Sequence, residues 1–156
     1  MLRFVQDRYL ITGPSGAGGR PHVDVSNQSF WNALLHGRKR WLFISEALLR
    51  EISHNDPEAV ATWMSRPEVA HSWYQSGGAE YVASIGAAGE QWWECIQEPA
   101  ELVYGAGGMM HVVLSLDDSL SVSEQMFGPT NFRGSIGVCS LYNCDRNRLA
   151  ADRLTD

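Results

Sequence analysis

A chain of 156 residues, 44% hydrophobic and 19% charged, has the make-up of a folded globular protein with enough length for one core, which argues against a disordered or fibrous chain. Its formal charge of −6 weighs against a broad phosphate-binding surface, so direct nucleic-acid binding is not expected. No run of about 18 apolar residues exists to span a bilayer, and the N-terminus lacks the apolar stretch of a secretory signal, which points to an intracellular protein of the nucleus or cytoplasm with no membrane partner.

In chain order, Arg8–Thr12 is β-branched and aromatic and runs into Gly13-Pro14-Ser15-Gly16-Ala17-Gly18-Gly19, a strand followed by a turn. Strands are expected over Arg20–Val25, Phe30–Leu35 and Arg40–Ser45, the last two joined through His36-Gly37. The pattern then becomes helical. Ser45 stands as a cap before Glu46–Ile52, and Asn55-Asp56 precedes Pro57 at the first position of a helix reaching Met64. Residues 66–90 carry no decisive periodicity. Strands return over Trp93–Gln97, Glu101–Tyr104, Met110–Leu116 and Ser119–Phe127, with Gly105–Gly108 and Asp117-Asp118 as turns. Strands at both ends with short turns predict one β-barrel whose early and late strands pair, interrupted by a helical insert at about residues 46–90.

Three groups of residues bear on chemistry. The glycine-rich turn superficially matches a phosphate-binding loop, but Gly19 and Arg20 stand where that loop needs Lys and Ser or Thr, and Pro21 begins no helix. His22-Val23-Asp24, read as a strand, places an imidazole and a carboxylate on one face. His111 opens the apolar run Val112-Val113-Leu114 just after a glycine turn, so it falls at a strand end near the barrel mouth. Two imidazoles and one carboxylate leave adjacent coordination positions vacant, the donor set of non-haem iron(II) oxygenases; zinc hydrolases share it, but their His-Glu-x-x-His helix is missing. Finally, Gly37-Arg38-Lys39-Arg40 places basic residues between strands that otherwise read as buried. An inward lysine would need an anionic partner, and a dicarboxylate supplies one worth about 4 kcal/mol at close approach. Spacing alone does not choose among Lys39 and its neighbours.

The run ITGPSGAGGRPHVDVSNQSFWNALLHGRKRWLFIS, with the later ECIQEPAELVYGAGGMMHVVLSLDDSLSVSEQMFGPTNF, resembles the core of a JmjC (jumonji C) domain over about residues 8–132. It is most similar to the phosphatidylserine-receptor-like lysyl hydroxylase branch. The resemblance implies a mainly β, cupin-like double-stranded β-helix (a jelly-roll barrel). It also implies an oxygenase using Fe(II), 2-oxoglutarate and O2 to hydroxylate, or by hydroxylation to demethylate, a protein side chain, with lysine favoured. Carried onto this chain, it makes His22, Asp24 and His111 the catalytic metal ligands and Lys39 the partner of the distal 2-oxoglutarate carboxylate. Ser123 falls beside that carboxylate, and Asn32 near the metal end of the co-substrate.

Departures from the family pattern include Val25 where proline is usual, Gly18-Gly19-Arg20 without the usual threonine, Met109-Met110 where tryptophan is common, and Glu124-Gln125 for a Gln-Asn pair. A carboxylate at Glu124 beside the co-substrate is expected to repel it. That feature, with the short termini, motivates a rival reading: a weak or inactive barrel serving as an interaction module. A second rival is a cupin-like metalloprotein acting on a small molecule, for which Lys39 is incidental. Residues 1–156 are read as a single domain, truncated at both ends relative to the family, with a homodimer in keeping with the family's habit.

The remaining residues read as structural. Trp31, Trp41, Trp92 and Trp93 are expected to fill the barrel and its cover, His36, His54 and His71 to lie on the surface, and Met109-Met110 to pack in the core. Cys95, Cys139 and Cys144 are odd in number and lack a second pair for a zinc site, so free thiols are expected.

Overall fold

A computed structural model describes residues 8–65, 70–87 and 89–127. Its strands are β1 (Arg8–Gly13), β2 (Gly18–His22), β3 (Ser29–His36), β4 (Lys39–Ile44), β5 (Trp92–Gln97), β6 (Leu102–Gly105), β7 (Met110–Ser115) and β8 (Ser119–Met126). Between β4 and β5 come helices α1 (Glu46–Asn55), α2 (Pro57–Ser65), α3 (Ala70–Gln75) and α4 (Gly78–Ile85). The strands form two antiparallel sheets, ordered β1-β8-β3-β6 and β2-β7-β4-β5. Early strands pair with late ones, β1 with β8 and β2 with β7, as a jelly roll requires.

Alternation along the strands sorts their residues between two environments. In the second sheet the even-numbered Leu42, Ile44, Met110, Val112 and Leu114 face outward and are buried by Leu48, Ile52, Val60, Trp73 and Val82 of the helices. The largest apolar core therefore lies between that sheet and its helical cover, not inside the barrel. The odd-numbered side faces the barrel, where Phe30, Trp41 and Phe43 form a smaller aromatic cluster. Ser45 accepts from Leu48 N–H to cap α1, and Asp56 accepts from Ala59 N–H to cap α2 while taking the Tyr81 hydroxyl on its other oxygen. The two later helices lie in the stretch without decisive periodicity. At six and eight residues they are too short to show one, and buried Trp73 and Val82 hold them to the sheet.

The same alternation explains the basic run. Arg38 leaves the turn to pair twice with Asp117 (2.7 and 3.1 Å), Arg40 faces outward to Glu94 (2.6 Å) and over the Tyr74 ring, and Lys39 alone turns inward. Among the tryptophans, Trp41 is buried in the barrel and Trp92 packs against the helix-covered core, but Trp93 is 39% exposed on the edge strand β5 and does not fill the interior. Met110 is fully buried, Met109 packs against the aromatic cluster, and His36, His54 and His71 lie at the surface. Cys95 is an exposed free thiol; Cys139 and Cys144 lie outside the described residues.

Strand β2 is seated on β7 through a position that only glycine fits. A Cβ on Gly18 would stand 1.9 Å from the Val113 carbonyl oxygen, which is ladder backbone and cannot step aside. Gly18→Ala is expected to destabilise the protein by about 3 kcal/mol. A urea midpoint unchanged from wild type would show that β2 is not held this closely.

Candidate metal centre

His22 and His111 face each other directly across the β2–β7 ladder, the last ordinary pair before β2 leaves the sheet. Their ring centroids are 4.3 Å apart. Each ring has its Nδ1 on a main-chain carbonyl two residues earlier, Arg20 at 2.6 Å for His22 and Met109 at 3.3 Å for His111. A carbonyl only accepts, so Nδ1 carries the proton in both rings, which leaves the Nε2 lone pairs for a cation.

Asp24 arrives by a different route from the one its spacing predicts. The strand ends at His22, not Val25, because a bulge between Gly19 and His22 shifts the register, and Val25–Asn27 turns away as a short 3-10 segment. Asp24 itself stays extended (φ −60°, ψ 145°), and Ser26 and Asn27 then take φ of 59° and 53°, the left-handed region, which turns the chain tightly after it. Asp24 Oδ1 lies 3.8 Å from His22 Nε2, and Oδ2 lies 4.0 Å from His111 Nε2. One ligand atom from each of the three residues falls within 4.8 Å of the other two, a spread that a single cation bridges.

The electrostatics suit a cation. Burial raises the Asp24 carboxyl above its ordinary range, only partly offset by His22 and by a hydrogen bond from the Gln125 amide. Burial, with help from His22, drives His111 down to about 3 against the pull of the Met109 carbonyl, so this imidazole is neutral at physiological pH. His111 is 5% exposed and ringed by Phe30, Trp41 and Phe43 at centroid distances of 4.7, 6.3 and 6.0 Å. A half-buried carboxylate, the neutral His111 imidazole and the Nε2 side of His22 meet within one small space, a donor set that a divalent ion completes.

These three residues line a cavity of about 440 Å³ together with Asn32, Lys39, Ser123 and Gln125. Lys39 is 4% exposed, and among the described residues no carboxylate pairs with its ammonium. It donates to Ser121 Oγ at 2.7 Å, and burial lowers its pKa below the ordinary lysine value. Asn32 Nδ2 donates to the same hydroxyl at 3.3 Å, while its Oδ1 is buried with no hydrogen-bond partner. Ser123 faces the cavity but spends its hydroxyl on the Trp31 carbonyl at 2.8 Å. The cavity thus holds a spare positive charge and an orphaned acceptor, the complement of a small anion that also carries a donor or an ordered water.

Glu124 stands apart from this group. Alternation turns it to the opposite face of β8 from Ser123 and Gln125, where it pairs with Arg8 at 2.6 Å, so the expected repulsion of a co-substrate has no source. Ser121, which lies on the same face of β8 as Ser123 and holds Lys39 from beneath the cavity lining, has no place in the motif reading, and Gln125 enters it only as part of the Glu124-Gln125 departure. The signal was the polar alternation Ser119, Ser121, Ser123, Gln125 in β8, which marks an inward face that is not filled with hydrocarbon.

The family model described as JmjC domain, hydroxylase, matches residues 9–126. The chain belongs to the JmjC family. It is 26% identical to the Arginine-specific demethylase JMJ22 of Arabidopsis thaliana over 126 residues, which cover 80% of this chain and 24% of that protein. It is 28% identical over 127 residues to the 2-oxoglutarate and iron-dependent oxygenase JMJD4 of Mus musculus, covering 80% of this chain and 27% of that one. The Bifunctional arginine demethylase and lysyl-hydroxylase psr-1 of Caenorhabditis elegans is 26% identical over 121 residues, 75% of this chain and 28% of its own. The chain spans about a quarter of the length of these JmjC relatives. No helix among the described residues is long and apolar enough to cross a membrane.

Proposed function

We propose that this JmjC chain carries the catalytic barrel of an Fe(II)- and 2-oxoglutarate-dependent oxygenase that hydroxylates a protein side chain, lysine first among the candidates. The observation that carries the reading is one cavity lined by both a His-Asp-His donor set and a buried, carboxylate-free lysine. Two relatives, one an arginine demethylase and the other a bifunctional arginine demethylase and lysyl-hydroxylase, support a protein side chain as the substrate.

When bound, Fe(II) with 2-oxoglutarate and O2 supplies a two-electron oxidation: one oxygen atom enters a substrate C–H bond as hydroxyl and the other enters succinate as CO2 is lost. His22, Asp24 and His111 would hold the ion through two Nε2 atoms and a carboxylate oxygen, and the carbonyls of Arg20 and Met109 keep the rings in that tautomer. Lys39, steadied by Ser121, would take the far carboxylate of the co-substrate, and the open acceptor of Asn32 faces the same space. Phe30, Trp41 and Val113 wall the cavity with hydrocarbon, which keeps water from the reacting centre. A volume of about 440 Å³ falls within the ~300–1,000 Å³ usual for small-molecule sites.

Succinate release from 2-oxoglutarate with Fe(II) and ascorbate tests this reading, with His22→Ala as the control. Turnover in wild type that the control lacks is expected; equal signals would remove the proposal. Mass spectrometry of lysine and methyl-arginine peptides then separates outcomes. A gain of one oxygen on unmodified lysine supports hydroxylation, whereas formaldehyde release from a methylated peptide assigns demethylation instead, because a hydroxylated N-methyl group breaks down to amine and formaldehyde.

A further inference from the structure

The three proposed ligands are not held equally well. His22 and His111 sit in a paired ladder, and each ring is pinned at Nδ1. Asp24 lies beyond the end of β2, where it begins the Val25–Asn27 turn without making a side-chain cap hydrogen bond of its own. Among the described residues, one hydrogen bond reaches its carboxylate: Gln125 Nε2 donates to Oδ1 at 3.0 Å. Gln125 comes from β8 in the other sheet, opposite Phe30, and lines the same cavity.

We propose that Gln125 is a positioning residue that fixes the Asp24 carboxylate for the cation, and thereby ties the metal centre of one sheet to the other. The amide engages Oδ1 and leaves Oδ2 on the His111 side, so the carboxylate meets the ion already oriented. A neutral donor suits this place. A carboxylate there would repel Asp24 and attract the ion to itself, and a cationic side chain would compete with the ion for Asp24. Without the amide, the carboxylate on its turn must be ordered when the ion arrives, which weakens binding without removing any ligand.

This inference rests on the metal reading above, and titration with Co(II), followed by its visible absorption, separates the two. Wild type is expected to bind one Co(II). Gln125→Leu is expected to bind it about 10–100-fold more weakly, the range for losing a residue that orients a ligand. The pair must also be coupled: in an Asp24→Ala background, Gln125→Leu should cost no more than about twofold in the residual two-histidine affinity. Equal loss in both backgrounds would mark a general structural role and overturn the proposal, as would Gln125→Leu binding like wild type. Failure of wild type to bind Co(II) would instead overturn the metal reading. Should Gln125→Leu not fold, as its melting curve without metal would show, Gln125→Met keeps the side-chain length without the donor and must give the same loss.

Discussion

Replacing His111 with alanine is expected to lower succinate formation by more than about 100-fold, beyond the range for residues that only support a ligand. The ring is buried and neutral, and besides His22, itself a proposed ligand, no imidazole of the described residues can take its place: His36, His54 and His71 are all exposed, and none belongs to the cluster around Asp24. The substitution also removes a ring from the aromatic group of Phe30, Trp41 and Phe43, so the metal-free protein should lose roughly 1–2 kcal/mol of stability as well. The two effects are separable. Turnover should stay lost at temperatures where circular dichroism shows the variant fully folded, and His36→Ala should change neither. Turnover within about tenfold of wild type would mean that His111 is no ligand.

Lys39→Met should act in opposite directions on function and stability. Its ammonium is the group proposed to take the far carboxylate of 2-oxoglutarate, an attraction of about 4 kcal/mol at close approach in a partly screened site. Losing it should raise the KM for 2-oxoglutarate by about 10²–10³-fold, with kcat falling less. Within the protein the same charge is buried against the Ser121 hydroxyl, and burial lowers its pKa. Methionine fills the volume without the charge, so the metal-free variant should melt roughly 2–4 °C higher, the response of a domain this size to about 1 kcal/mol. The sign with pH follows. Between the lowered folded pKa and the ordinary lysine value the unfolded chain binds more protons, so Lys39 makes wild-type stability rise with pH across that window. Lys39→Met should lack that rise. Were Lys39 incidental, as in a barrel acting without 2-oxoglutarate, the KM would not move.

Much of this was legible in the residues. Period-2 alternation bounded by glycine and Asp-Asp turns marked seven of the eight strands to within about two residues, and β2 less well. Ser45 and Asp56 announced the two longer helices because caps and a proline at the first helical position are local signals. His22, Asp24 and His111 stood out through alternation in His22-Val23-Asp24, the place of His111 at a strand start after a glycine turn, and the family resemblance. The sequence did not show how Asp24 reaches the histidines. The alternation predicts a strand through Val25, whereas β2 ends at His22 and the chain turns after Asp24 through left-handed Ser26 and Asn27, a conformation neither residue demands. Nor did it show that Lys39 leans on Ser121, or Asp24 on Gln125, because both contacts reach β8 of one sheet from β4 or from the end of β2 in the other. Glu124 misled for a related reason: whether a strand residue faces in or out depends on register, and one step exchanges the faces.

The central claim, that His22, Asp24 and His111 hold one Fe(II) in the cavity that Lys39 lines, is tested most directly by anaerobic titration of the purified chain with Fe(II) in the presence of 2-oxoglutarate. The charge-transfer absorption of a chelated 2-oxo acid reports binding. One equivalent per chain is predicted for wild type and no band for Asp24→Ala at the Fe(II) concentration that saturates wild type, with the band weakened in Lys39→Met and restored by excess 2-oxoglutarate. A band of full intensity in Asp24→Ala, or none in wild type, would contradict the account.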